Sequence, residues 1–127
     1  MFSVRQAAED DWQAIGALFV AAGRAAWTHI MTPESLETFA PPAAWLELIR
    51  AGQGLVVCVQ DHPVGFSALR ASQDDDAAPK TGEIASFYTH PDVWGQGAGR
   101  LLMQESLLQL SRMGFSDATL WTEERNY

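Results

Sequence analysis

Three glycines within five residues, Gly95, Gly97 and Gly99, followed at once by Arg100, are the part of this 127-residue chain best suited to hold a ligand. They stand in the run Trp94-Gly95-Gln96-Gly97-Ala98-Gly99, between a strand-like segment and an amphipathic helical one. The first turn of a helix carries unpaired N–H groups and a partial positive charge, so it attracts phosphate. Glycines let the backbone turn tightly and let phosphate oxygens approach with no Cβ in the way. Arg100, just inside the helix, adds a side-chain charge. A dinucleotide fingerprint requires Gly-x-Gly-x-x-Gly, and starting from either Gly95 or Gly97 the third glycine is absent. A nucleoside-triphosphate loop ends in Gly-Lys-Ser/Thr, and no lysine is near.

The other chemistry-bearing residues give weaker patterns. Asp74-Asp75-Asp76 are consecutive, so in extended chain their side chains point apart, and the glycine and distal glutamate of a calcium loop are missing. No metal site is expected. Cys58 stands alone within Leu55-Val56-Val57-Cys58-Val59, which reads as a buried, inert thiol in a reducing cytosol. His29 and His62 read as surface residues, and His90, followed by Pro91, as part of a turn.

The elements that must position the loop follow from periodicity. Phe2 to Gln6 alternates as a short strand. Asp10 with Gln13 resembles a capping box, and Ile15, Leu18, Phe19 and Ala22 then form a helix stripe. Trp27 to Phe39 has no clean period and reads as loop plus a short helix. A second helical patch after Pro41-Pro42 carries Trp45, Leu48 and Ile49, with Gly52 as its stop. Gly54 to Gln60 and Val64 to Arg70 read as strands around a turn at Asp61-His62-Pro63. Ser72 to Thr81 reads as a solvated loop. Gly82 to Thr89 is a further strand, and Arg100 to Met113 a helix. Leu102, Met103, Ser106, Leu107, Leu110 and Met113 share one arc of that helix. Gly114 ends it, and Asp117 to Thr122 begins another strand. The expected fold class is α/β, an α+β mixed sheet in the order βααβββαβ, within one domain spanning residues 1–127.

Composition sets outer bounds. Apolar types make up 47% and charged types 19%, ordinary values for a globular chain with a real core. A net charge of −8 argues against nucleic acid as a partner and is compatible with a cationic or amine substrate. No signal peptide precedes the first strand, and no apolar run approaches the ~20 residues of a membrane span. A cytoplasmic protein with no membrane partner is expected.

The remaining glycine pattern is Gln/Arg-x-x-Gly-x-Gly/Ala, and here the chain resembles the GNAT family of N-acetyltransferases. The resemblance extends beyond the loop. Phe87-Tyr88-Thr89 stands where the family has a Leu-Tyr-Val-like strand ending, followed by His90-Pro91, Gly95 to Arg100 and Leu101-Leu102. The opening Val4-Arg5-Gln6-Ala7, the acidic pair Asp10-Asp11 and the hairpin strand beginning Val64-Gly65-Phe66 fit as well. The departure is Trp94, where the family has Gln or Arg.

The resemblance implies acetyl-CoA as the cofactor. The backbone of Phe87, Tyr88 and Thr89 would pair with the pantetheine arm, and the amides of Gly95, Gln96, Gly97, Ala98, Gly99 and Arg100 would hold the pyrophosphate. Asn126 matches a family asparagine that contacts the cofactor; as a bare residue it reads equally as a helix cap. The implied activity is transfer of the acetyl group to a primary amine of a small molecule or peptide. The alternative is a coenzyme-binding domain with weak or no catalysis.

Such a transfer needs a base, an oxyanion donor and a leaving thiolate. By resemblance the oxyanion donor is backbone N–H at Tyr88 or Thr89, and Glu83 is the base, acting directly or through water. Glu83 also reads as an exposed carboxylate opening its strand. Strict alternation puts Glu83, Ala85, Phe87 and Thr89 on one face unless a bulge intervenes. Trp27, His29, Met31 and Trp45 read either as acceptor-pocket lining or as core. The family's acid, a helical tyrosine about two turns past the asparagine, has no counterpart, because the sequence ends at Tyr127. The fold is therefore expected to be C-terminally incomplete, with an exposed sheet edge that favours a homodimer.

Overall fold

A computed structural model describes residues 1–27, 43–71 and 81–120. Its elements are β1 (Phe2–Gln6), α1 (Trp12–Trp27), α2 (Ala44–Arg50), β2 (Gly54–Val59), β3 (His62–Ala71), β4 (Thr81–Thr89), α3 (Ala98–Arg112) and β5 (Asp117–Leu120). The order is the βααβββαβ expected from the sequence. Asp74 to Asp76, His29, Met31, Asn126 and Tyr127 lie outside the described residues.

The five strands form one sheet in sequence order. Neighbours are antiparallel from β1 to β4, and β5 joins β4 in parallel after the α3 crossover. Both sheet faces are covered, which is why β2 is buried from Gly54 to Cys58 and reads as a continuous apolar run. On one face Ile15 of α1 and Ile49 of α2 pack with Val56, Cys58, Phe66 and Ala68. On the other, Leu102 and Leu110 of α3 pack with Leu55, Val57, Leu69 and Ile84. Cys58 is a buried free thiol whose pKa is pushed up by burial.

Three local details differ from the sequence reading. The β2–β3 turn is the pair Gln60-Asp61, both at positive φ, with Val59 and His62 pairing across it. Pro63 therefore lies inside β3, where a bulge interrupts the β2–β3 register. The acidic cap is Asp11 rather than Asp10. Asp11 closes a 3-10 turn at Glu9–Asp11 by accepting from the Ala8 N–H at 2.8 Å. On α3, Leu102, Ser106 and Leu110 are buried at four-residue intervals, whereas Leu107 is 46% exposed. The helix meets the sheet along a narrow stripe, and the flank of the apolar arc faces solvent.

The N-terminal strand is tied to α1 by charge. Arg5 donates to both Asp11 oxygens, at 2.7 and 3.0 Å. These bonds hold the Asp11 carboxyl below the usual carboxylate range, against an opposing effect of burial. A depressed folded-state pKa gives stability that is present above the unfolded value near ~4 and lost as pH falls through the folded one. Asp11→Asn is expected to cost about 1 kcal/mol at neutral pH, discounted for the exposure of Arg5. Chemical denaturation should also show that the variant loses less stability than wild type between about pH 5 and pH 2. Parallel stability curves for the two proteins would contradict this.

Candidate functional site

The glycine loop folds as its composition demands. His90 opens a 3-10 turn, Pro91–Val93, and its Nδ1 accepts from the Asp92 N–H at 3.1 Å. Gly95 and Gly97 then take φ values of +78° and +96°, in the left-handed region that side-chain-bearing residues avoid. Gly97 is the N-cap of α3, and the Leu101 N–H closes the first helical bond on its carbonyl at 3.1 Å. The first-turn amides ahead of Leu101 have no carbonyl behind them, which leaves an electropositive end at the loop. Gly99 has an ordinary φ, and a Cβ built on it meets nothing within 4 Å. Its lack of a side chain serves open space beside the helix end, not backbone geometry.

That space belongs to a cleft of about 540 Å3. Its walls are Phe87, Tyr88 and Thr89 of β4, Ala22 of α1, Val93 and Trp94 of the turn, and Gly95, Gly97, Gly99 and Arg100. The strand triplet and the loop, read separately from the sequence, are thus brought to one place. Gln96 and Ala98 do not line the cleft. Gln96 is committed to the loop itself: its N–H donates to the Val93 carbonyl at 3.2 Å and its side-chain amide to the Asp92 carbonyl at 2.8 Å. Ala98 is fully buried.

The edge of β4 explains why a ligand fits there. Among the described residues, β4 pairs with β5 from Thr81 to Ile84, opposite Asp117 to Leu120. Among the described residues, no strand continues beside Ala85 to Thr89. The His90 N–H bonds the Val64 carbonyl at 2.7 Å, and the β3–β4 register runs on from there through Gly65↔Thr89 and Phe66↔Tyr88. In an antiparallel ladder the bonded pairs alternate, so Phe87 and Thr89 turn their backbone groups away from β3, towards this open side.

A bulge decides where the side chains of β4 point. Ala68 opposes Ser86 but Leu69 opposes Ile84, so Ala85 is an extra residue. Ile84 and Phe87 consequently both pack on the α3 face, while Tyr88 packs against Phe66 on the α1 face. Glu83 pairs with Arg70, two residues beyond Ala68 on β3, and so falls on the same face as Tyr88. The expectation that Glu83 and Phe87 share a face is overturned by this one inserted residue.

Glu83 is 1% exposed and ion-paired with Arg70. It is not an exposed strand-opening carboxylate. Neither does it line the cleft. Ser86, on the Tyr88 face, has a buried hydroxyl with no hydrogen-bond partner among the described residues. The Tyr88 phenol donates to the Ile15 carbonyl at 3.1 Å and packs among Phe19, Trp45 and Phe66. Burial raises its pKa well above the usual phenol value. Trp45 belongs to the same aromatic cluster and packs, partly buried, against the core on this face.

Sequence reasoning missed the contribution of Ala22, the Arg70 partner and the buried Ser86. It also missed a bond at the mouth of the cleft, where Trp94 Nε1 donates to the Thr89 carbonyl at 3.0 Å. Among the described residues no cluster of His, Cys, Asp and Glu is placed to hold a metal, and no helix is long and apolar enough to cross a membrane.

Comparison with known proteins agrees with this geometry. A family model described as the acetyltransferase (GNAT) family matches residues 12–127. Among solved structures, the fold is similar to the PaiA N-acetyltransferase of Thermoplasma acidophilum in complex with coenzyme A. The TM-score is 0.77 at 15% identity, covering 99% of this chain and 82% of that one. It is also similar to a GNAT-type N-acetyltransferase from Ralstonia eutropha, with TM-score 0.72, 20% identity, and coverage of 98% and 85%. N-acetylglutamate synthase of Neisseria gonorrhoeae, complexed with coenzyme A and N-acetyl-glutamate, matches at TM-score 0.66 and 21% identity, over 98% of this chain and 26% of that one. A search of curated proteins finds no match.

The two loop glycines should separate on substitution. Gly97→Ala forces a Cβ into a left-handed backbone and is expected to cost about 1–2 kcal/mol. Gly99→Ala sits in an ordinary helical first turn and is expected to be neutral or stabilising by up to about 1 kcal/mol. Equal destabilisation of both variants in chemical denaturation would contradict the assigned roles.

Proposed function

The chain belongs to the acetyltransferase (GNAT) family, and from that premise we propose that it binds acetyl-CoA along β4 and transfers the acetyl group to a primary amine of a small molecule or peptide. The observation that carries this reading is the cleft walled by Phe87, Tyr88 and Thr89, which runs directly to the first-turn amides of α3 beside Gly97, Gly99 and Arg100. The pantetheine arm is a chain of two amides, which suits a strand edge. The Phe87 carbonyl and the Thr89 N–H are turned to pair with it. The pyrophosphate suits the helix end beside Gly97 and Gly99, with the Arg100 guanidinium close by. The coenzyme A bound to two of the structural relatives supports the same assignment.

In the transfer, the acceptor nitrogen loses a proton and bonds the acetyl carbon, and the carbon–sulfur bond breaks to release a thiolate that takes a proton from water. The oxyanion donor in this account is the Phe87 N–H, because it turns towards the open side at the end of the arm away from the pyrophosphate, whereas the Tyr88 N–H turns to β3 and the Thr89 N–H, beside the loop, is taken by the arm. Glu83 receives the acceptor's proton through water. Support for this role comes from its position on the Tyr88 face, with the buried Ser86 hydroxyl between.

A second reading, coenzyme binding with little turnover, draws on the ion pair that engages the Glu83 carboxylate with Arg70. Calorimetry and thiol release separate the two. Acetyl-CoA at ~100 times its dissociation constant should add about 2.7 kcal/mol to the stability of the wild type. Gly99→Val should fold normally yet bind acetyl-CoA at least about tenfold more weakly, because its side chain fills the cradle. Absence of any stabilisation at millimolar acetyl-CoA would reject both readings. With an amine panel, Glu83→Gln should lower kcat by about 100-fold at unchanged acetyl-CoA affinity. An unaltered kcat would remove Glu83 from the role, and a wild type that binds but releases no thiol would favour the second reading.

A further inference from the structure

The first position of the glycine loop, which carries Gln or Arg in the sequence pattern this chain otherwise resembles, holds Trp94 here. Its ring is 42% exposed and forms part of the cleft wall, so it is not a core residue displaced into the loop. Its indole N–H donates to the Thr89 carbonyl at 3.0 Å. The same peptide unit is held at its other end, where the His90 N–H donates to the Val64 carbonyl at 2.7 Å. One peptide plane is thus fixed from both sides at the point where β4 leaves the sheet and the loop begins.

We propose that Trp94 is a positioning residue that sets the register of the coenzyme's pantetheine arm on β4, an inference that rests on the acetyl-CoA reading above. The Thr89 carbonyl is one of the backbone groups that alternation turns towards the open side. Trp94 engages one of its two lone pairs, so an incoming amide N–H would have to share the oxygen with the indole. The free groups are the N–H and carbonyl of Phe87 and the N–H of Thr89. An arm with two amides then pairs best in one register, and a slip of two residues towards the loop meets an acceptor already shared with the indole. Fixing the Thr89–His90 peptide also fixes the direction of the strand end that presents the Thr89 N–H. The indole carries no charge, so it gives the pyrophosphate none of the attraction that an arginine would. That charge is left to the helix end and Arg100.

The test uses two ligands and two variants. Coenzyme A carries the arm; 3′-phosphoadenosine 5′-diphosphate carries the same nucleotide and pyrophosphate without it. Trp94→Phe keeps a ring but loses the N–H, and Trp94→Gln loses the ring but keeps an N–H donor at a similar reach. By titration calorimetry, Trp94→Phe should weaken coenzyme A about three- to tenfold, the worth of one hydrogen bond, and leave the nucleotide half within about twofold of wild type. Trp94→Gln should bring coenzyme A back to within about twofold of wild type. Unchanged coenzyme A affinity in Trp94→Phe would overturn the proposal. So would equal weakening of both ligands, which would mark a role at the pyrophosphate or a damaged fold, or a Trp94→Gln variant as weak as Trp94→Phe. A wild type that binds neither ligand would instead sink the coenzyme reading itself.

Discussion

A strand in the interior of a sheet normally satisfies its backbone on both sides. Among the described residues, β4 does so from Thr81 to Ile84, where β3 and β5 flank it. From Ala85 onward it keeps β3 and, among the described residues, has no strand on the other side. Backbone amides and carbonyls that face a cleft need either water or a ligand. This half-paired strand is the constraint on which the rest of the structure depends. The bulge at Ala85 lies where the pairing changes, and it re-aims every side chain that follows.

The remainder of the fold serves to hold this edge still. From one face, the Tyr88 phenol bonds the Ile15 carbonyl and anchors α1 across the strand. From the other, Ser106 of α3 bonds Ser67 of β3 at 2.7 Å inside an otherwise apolar contact, and also returns to the Leu102 carbonyl. That buried hydroxyl pair fixes the helix along its length, and with it the position of its N-terminus against the loop. The chain as a whole carries a net charge of −8, which repels an anionic ligand at long range. Attraction must then be local, from amides aimed at short distance and from Arg100.

What the sequence made legible was what short-range chemistry decides. The loop at Gly95 to Gly99, the turn at His90-Pro91 and the apolar run of β2 each follow from residue types over a few positions, and the order of elements followed from them. What stayed hidden depended on register. Ala85 looks like any strand alanine, and nothing in Glu83-Ile84-Ala85-Ser86-Phe87 announces that one residue will be skipped. Arg70 and Glu83 meet only because β3 and β4 pair in one register across residues 72–80, a relation that no local pattern encodes. Leu107 lies on the apolar arc of α3 yet stays exposed, because the helix is buried along the stripe of Leu102, Ser106 and Leu110. Trp94 was visible as a departure from a pattern, but its bond to Thr89 required the loop to be folded first.

The account stands on a ligand lying along Phe87 to Thr89 and ending at the first turn of α3. Amide nitrogen and proton shifts recorded while acetyl-CoA is titrated into the labelled protein test this residue by residue. Phe87, Thr89, Gly99 and Arg100 should move most, whereas Gly52 and Gln53, in the turn at the opposite end of the sheet beside Leu69, should hold still. Saturable shifts that bypass Thr89 and Gly99, or that centre on another face of the sheet, would contradict it.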